Sequence, residues 1–322
     1  WVDDEPNVAM SSWVLNTWGE IEKAGFYLDP SAVSRLQNYI LSRQNSDGSW
    51  TPEGWFGHGQ YKPTNLVMTS YALRSLLKSG ISTQDERVSK AASYLIQKLK
   101  SELEDPYGVA LAVIALRLAE TAADDQTIRE ALTWLEKTAQ TDPQSGVHWT
   151  GGSSFSGDAE TTGYVAMALI ASNGSPDLVN AAVSWMLKQR GGWGGLETTS
   201  DTCVLIEVLT LMAEKQAEDA NLEVTVSING QPVYSDTVTP ETYDLVRFFD
   251  LLPHLKQGSN TVGVKASGKG VVFYQIVAKQ TLRSELMLQV EADKLRVKQG
   301  EIVRVKATAT PPESNITPVL VK

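Results

Sequence analysis

What most constrains this chain is a change of period about two thirds of the way along it. Up to residue 214, apolar side chains recur at spacings of three and four, in 10–24, 30–43, 65–79, 86–100, 107–121, 126–138, 159–172, 176–188 and 200–214. Each segment predicts a helix of about 12 to 16 residues, and short Gly, Ser, Asp or Pro turns separate them. No such helix can bury its apolar face alone, so the pattern predicts helix hairpins stacked side by side. Several starts carry caps. Asp29 precedes Pro30, Ser175 precedes Pro176, and Ser82-Thr83 lies a few residues before Glu86.

Two segments echo one another. Gln44-Asn45-Ser46-Asp47-Gly48-Ser49-Trp50 and Gln189-Arg190-Gly191-Gly192-Trp193-Gly194-Gly195 both close a helix with a glutamine and then turn through glycine and an aromatic. Thr69-Ser70-Tyr71 and Thr199-Ser200-Asp201-Thr202 follow as helix starts. This repetition fits an α/α toroid or solenoid, here an incomplete ring of helical hairpins over residues 1–216. Near residue 217 the period falls to two. Leu222, Val224, Val226 and Ile228 alternate with polar residues, and Asn229-Gly230 supplies a hairpin turn. Further strands are expected at 232–238, 243–250, 260–266 and 271–279, giving an antiparallel β-domain over 217–282. A second β-pattern over 283–322 (Met287–Glu291, then Ile302–Ala309) is too short to close a sandwich and is expected to be truncated.

Composition narrows function. At 42% apolar and 20% charged, the chain belongs among folded proteins, and its 322 residues predict two or three domains. No apolar run reaches the roughly 18 residues a membrane span requires. There is no signal peptide, but the chain opens on Trp1, so a natural N-terminus is expected upstream. A net charge of −10 argues against nucleic-acid binding. The single cysteine, Cys203, excludes an internal disulfide, and its apolar neighbours predict a buried, inert thiol. Metal ligands are lacking, and no cofactor is expected. Asp3-Asp4 and Asp124-Asp125 read as solvated helix starts. Trp13, Trp18, Trp134 and Trp185 read as core.

The motifs resemble the C-terminal region of the alpha-2-macroglobulin and complement family. Gly194-Gly195-Leu196-Glu197-Thr198-Thr199-Ser200-Asp201-Thr202 resembles that family's GGFSSTQDT segment. Val147-His148-Trp149 and Glu160-Thr161-Thr162-Gly163-Tyr164 resemble its VHW and ExTSY pair, and Leu41-Ser42-Arg43-Gln44 with Asp47-Gly48-Ser49-Trp50 resembles its LSxRQxxDGxF turn. The resemblance implies a thioester domain, then a CUB-type β-domain portion, then the opening of a receptor-binding domain. It implies a non-enzymatic, broad-spectrum protease trap whose partners are target proteases. The family's Cys-Gly-Glu-Gln thioester has no counterpart in this chain. Uncovered helix faces would then leave room for a dimer. The lack of disulfides favours a bacterial member, outside the cytoplasm in the periplasm or at the cell surface.

In some members a histidine attacks the thioester, giving an acyl-imidazole and a thiolate that acts as base. By position after the DGxF-like turn, the resemblance assigns that role to His58. The competing reading is a loop histidine between glycines on a turn that packs Trp55 and Phe56. His148 is expected to stabilise a turn and His254 to lie on the surface, while Glu160 and Asp201 are candidate caps of backbone amides. Two other functions stay open. Gln44, Gly48 and Trp50 also match the turn that braces terpene cyclases, but neither DxDD nor DDxxD occurs. A thioester-free toroid could serve as a binding or adhesion module.

Overall fold

The computed structural model describes residues 6–53, 63–120, 125–142, 146–151, 157–191, 195–216, 220–243, 245–270, 272, 274, 276, 287–292 and 305–310. The helical periodicity is realised segment by segment. Helices α1 (Val8–Lys23), α2 (Pro30–Ser42), α3 (Asn65–Lys78), α4 (Glu86–Ser101), α5 (Pro106–Leu118), α6 (Asp125–Lys137), α7 (Asp158–Ala171), α8 (Pro176–Lys188) and α9 (Thr199–Gln216) follow in order. The starts of α1 to α5 and of α8 are fixed by side chains that satisfy otherwise orphaned amides. Asp29 and Ser175 cap α2 and α8 ahead of a proline, as expected. At α4 the cap is Asp85, not Ser82 or Thr83, because its carboxylate reaches the amide of Arg87 while Arg87 also pairs with it.

Odd and even helices differ in character. From Pro106 to Leu116 every residue of α5 is buried, and so is every residue of α7 from Glu160 to Leu169. In contrast α4 buries only one face. The odd helices pack in succession, α1 on α3, α3 on α5, α5 on α7 and α7 on α9, and the even helices lie against them. The α7–α9 approach is close enough that a Cβ on Gly163 would collide with Val204.

Indole braces tie outer to inner helices. Trp50 is fully buried between α2 and α3. Its indole N–H donates to the Ile40 carbonyl at 2.7 Å, and its backbone N–H donates to Thr69 Oγ1 at 3.0 Å. Trp149 repeats this between α6 and α7, donating to Leu135 O at 2.7 Å and to Thr162 Oγ1 at 3.1 Å. At the third such joint, between α8 and α9, the backbone N–H of Leu196 donates to Thr202 Oγ1 at 3.0 Å. The turn before Trp50 needs Gly48, whose φ is +89° and whose missing Cβ leaves room for the carbonyl of Lys90. Gln44 spans this turn, donating to Gly48 O at 3.0 Å and Arg87 O at 2.8 Å.

A short antiparallel hairpin, β1 (Gln140–Asp142) and β2 (Gly146–His148), leads into Trp149. After α9 comes a three-stranded antiparallel sheet of order β4-β3-β5, with β3 at Asn221–Ile228, β4 at Gln231–Val238 and β5 at Val262–Lys269. The expected row of Leu222, Val224, Val226 and Ile228 is buried. Asn229 and Gly230, both at positive φ, make the turn. The chain divides into two compact units, Trp1–Gly270 and Val271–Lys322. In the second, β6 (Met287–Ala292) pairs with β7 (Val305–Thr310).

Three expectations are corrected. Cys203 is exposed, because it falls on the face of α9 turned away from α7. Trp13 is half exposed, although α1 packs against both α2 and α3. The strand expected at 243–250 joins no ladder among the described residues, although its burial alternates with period two from Val246 to Leu251. Asp3-Asp4, Asp124 and most of the strand expected at 271–279 lie outside the described residues. Replacing Trp50 or Trp149 by Ala should each cost about 3–5 kcal/mol, because a buried ring and a partner for an outer-helix carbonyl disappear together. Urea denaturation of the single variants would measure this.

Candidate functional site

The N-terminal turns of α3, α5, α7 and α9 converge, and the repeat explains how. Tyr71 and Tyr164 each stand two residues after the threonine that receives a brace, so equivalent positions in α3 and α7 point to one place. Tyr107, next to the first residue of α5, joins them. The rings of Tyr107 and Tyr164 lie 5.5 Å apart at 84°, and those of Tyr71 and Tyr164 6.2 Å apart at 85°, the edge-to-face geometry aromatic quadrupoles favour. The hydroxyls of Tyr71 and Tyr107 lie 2.5 Å apart, and Tyr107 donates to Glu160 Oε1 at 3.2 Å. Tyr71 donates in turn to the Tyr164 hydroxyl at 3.4 Å, so the three tyrosine hydroxyls and Glu160 are linked. Ser200, in the first turn of α9, also donates to Glu160 Oε1 at 3.4 Å. Glu160 is 2% exposed, and the positive ends of the surrounding helices stabilise a carboxylate there. Glu160 Oε1 thus accepts from two hydroxyls.

One helical turn further along α3 the cluster becomes ionic. Arg74, 2% exposed, pairs with Glu207 of α9 and lies 5.5 Å from the centre of the Tyr164 ring. Lys78 reaches Glu207 at 2.8 Å and Glu20 of α1 at 2.5 Å, while Lys23 of α1 meets Glu214 of α9 at 3.1 Å. Burial pushes the Glu207 carboxyl up, but Arg74 and Lys78 outweigh it and hold its pKa at about 2, against an ordinary 4.5. Burial likewise pushes the Tyr71 hydroxyl well above its usual range and Tyr164 up to about 12, so both stay protonated.

Asp201 is 2% exposed beside this cluster. Its Oδ2 accepts from Thr198 Oγ1 at 2.8 Å, and its own amide donates to Thr198 Oγ1 at 3.1 Å, a reciprocal cap at the start of α9. Its Oδ1 has no partner, and burial raises its pKa. The structure thus brings Glu160, Tyr164, Asp201 and Thr202 together, with Gly195 and Leu196 leading into α9. Gln44, Gly48 and Trp50 lie at the α2–α3 brace. His148 stacks on Trp185 at 4.7 Å and 9°, fastening β2 to α8 next to the Trp149 brace. His254 is exposed, at the edge of Tyr234. His58 and Gly194 lie outside the described residues. Tyr107, Arg74 and Glu207 were not singled out from sequence, and Tyr71 only as part of a helix start; the Thr-x-Tyr spacing shared by 69–71 and 162–164 was the available signal. Among the described residues no group of His, Cys, Asp or Glu could hold a metal ion, and no helix is long and apolar enough to cross a membrane.

Two charge predictions follow from opposite signs. The depressed pKa of Glu207 contributes stability that is present above pH 4.5 and lost as pH falls towards 2. Glu207→Gln strands a buried guanidinium and should cost about 3–5 kcal/mol at neutral pH, the penalty shrinking in acid. The raised pKa of Asp201 has the opposite effect, its contribution being lost as pH rises through the folded value. Asp201→Asn should therefore raise the melting temperature at pH 7 and leave it unchanged near roughly pH 3. Thermal melts of both variants across this range test the two assignments.

Comparison with known proteins places this arrangement. Residues 1–211 match the family model described as the A-macroglobulin TED domain. Thioester-containing protein 1 allele R1 of Anopheles gambiae is 23% identical over 316 residues, covering 96% of this chain and 23% of the relative. Ovostatin of Gallus gallus is 22% identical over 256 residues, covering 74% of this chain and 17% of the relative. The chain therefore spans about a fifth of the length of the curated relatives it matches. With helical segments, braces and polar cluster all falling inside the matched stretch or beside it, the chain belongs to the A-macroglobulin TED-domain family, within the wider alpha-2-macroglobulin and complement group.

Proposed function

We propose that this chain is the scaffold portion of a macroglobulin-type protease trap, and not an enzyme. Its helical hairpins form part of an α/α toroid, and the sheet after α9 is a CUB-type portion linking it to the rest of a longer protein. The observation that carries the reading is the match of residues 1–211 to the TED domain. The convergence of four helix N-termini on a filled polar centre supports it. Tyrosine rings and the Arg74–Glu207 pair occupy that centre, which suits a rigid support better than a substrate chamber.

In this reading the acyl bond is a Cys-Gly-Glu-Gln thioester contributed by sequence outside the chain, since the chain's one cysteine is Cys203 in α9. Cleavage of a bait segment elsewhere exposes the thioester, which acylates an amine or hydroxyl of the protease and releases the cysteine thiolate. His58 takes the acyl group first, as an acyl-imidazole, and the thiolate then serves as base. Target proteases are the partners, and the site of action is outside the cytoplasm. The exposed stripe of Met10, Trp13 and Val14 on α1 is the face this reading leaves for pairing of copies.

Mass spectrometry of a longer polypeptide holding both this chain and a Cys-Gly-Glu-Gln segment tests the proposal. Methylamine should add once, with one thiol released, and the chain alone should gain nothing. His58→Ala in that polypeptide should shift capture from hydroxyls to amines. If the polypeptide takes up no methylamine and frees no thiol, the trap reading fails; if capture occurs but its preference is unmoved, only the role of His58 fails.

A further inference from the structure

Helix α1 is held to the ring differently from its neighbours. Its buried residues are Val8, Ser11, Ser12, Leu15 and Gly19, so two of them are sizeable and apolar, whereas α5 and α7 are buried over most of their length. The close approach of α1 to α3 rests on smallness: a Cβ on Gly19 would lie 2.8 Å from the Lys78 carbonyl oxygen. Small side chains bring backbones together but remove little apolar surface from water. By contrast α2 is fastened to α3 by the Trp50 brace and by Gln37, whose amide donates to the Ser79 carbonyl and hydroxyl at 2.8 and 3.1 Å. Between α1 and α2 the chain turns through Gly25, at φ +84° with open space beside it, which makes a free pivot.

The polar groups on the inner face of α1 are poorly matched. Ser12, Asn16 and Lys23 stand four and seven residues apart, on one stripe of the helix. Gly19 marks the α3 side of that stripe, and Lys23, bonded to Glu214, marks the α9 side. Ser12 Oγ and Asn16 Oδ1 are buried there without a hydrogen-bond partner among the described residues, and so is Nε of Arg74, one turn before Lys78 on α3. Such an atom has lost the hydrogen bond that water gave it, and regains it when the helix moves away. The side-chain ties from α1 to α3 and α9 among the described residues are ionic, Glu20 to Lys78 at 2.5 Å and Lys23 to Glu214 at 3.1 Å. Glu20, Lys23 and Glu214 are all exposed.

We propose that α1 is a clasp that opens by itself. It swings away about Gly25 while α2 to α9 stay assembled, and admits water to the corner where Arg74, Lys78 and Glu207 meet. Opening hydrates Ser12, Asn16 and Arg74, gives up two exposed ion pairs and uncovers little apolar surface, so it costs much less than unfolding the ring. Once Glu20 has withdrawn, Glu207 is the one acid left of the two that Lys78 meets in the closed form. A sealed corner of balanced charge thereby becomes a wet, cationic one.

Hydrogen exchange of the whole chain, followed peptide by peptide in native buffer, tests this. Relative to their unfolded rates, amides of α1 should exchange about tenfold or more faster than those of α5 and α7. Raising sodium chloride should speed α1 by about two- to tenfold, because two ion pairs are lost on opening, and should leave α5 and α7 unchanged. Ser12→Ala and Asn16→Leu each remove an unpartnered atom and should slow α1 by about threefold or more. Thr17→Ala, on the exposed side of the same helix, measures the part of that slowing due to helix propensity alone, and should slow α1 less. Protection of α1 equal to that of α5 and α7, or no response to salt, would overturn the proposal. So would exchange in Ser12→Ala and Asn16→Leu that is faster, or slowed no more than by Thr17→Ala.

Discussion

One indole, donating to the last turn of an outer helix while its own amide is held by a threonine of the next inner helix, sets the geometry of everything around it. The joint fixes both the height and the rotation of α3 against α2, and its repeat does the same for α7 against α6. Because the threonine precedes a tyrosine by two residues each time, rotating the helix into the brace also rotates a tyrosine into the centre. The polar cluster is therefore not assembled separately from the scaffold. It is the scaffold's own repeat, seen at its inner side.

A polar centre of this kind is costly unless every group finds a partner. The hydroxyl chain that ends on Glu160 and the cations that surround Glu207 largely meet that demand. Asp201 Oδ1, with no partner, is an exception. The division of labour is readable in the charges. Towards α7, α9 packs with apolar side chains and the close approach at Gly163. Towards α1 and α3 it reaches with Glu207 and Glu214, meeting long basic side chains. So the same helix is fitted by shape on one side and by charge on the other.

Much of this was legible in the residues. Periodicity located each helix to within two or three residues, since an amphipathic face is written directly into sequence. The braces were half legible. The Gln44–Trp50 turn was seen, but its true counterpart is Trp149, whose setting in a short hairpin hides the likeness; the noticed echo at 189–195 led instead to Leu196. The charge pairs were not legible, because Arg74 and Glu207 lie far apart in the chain and neither is part of a motif. Cys203 and Trp13 were misjudged for a related reason: apolar neighbours in sequence do not show which side of a helix the fold covers.

The third joint has a leucine where the first two have tryptophan. Leu196 keeps the backbone tie to Thr202, yet its own side chain carries no donor for the outer helix. At Leu196 the tie between α8 and α9 runs through the backbone, where the α2–α3 and α6–α7 joints carry an indole bond as well. Since α9 leads on towards β3, any mechanical load arriving from the sheet meets that joint before it meets either tryptophan.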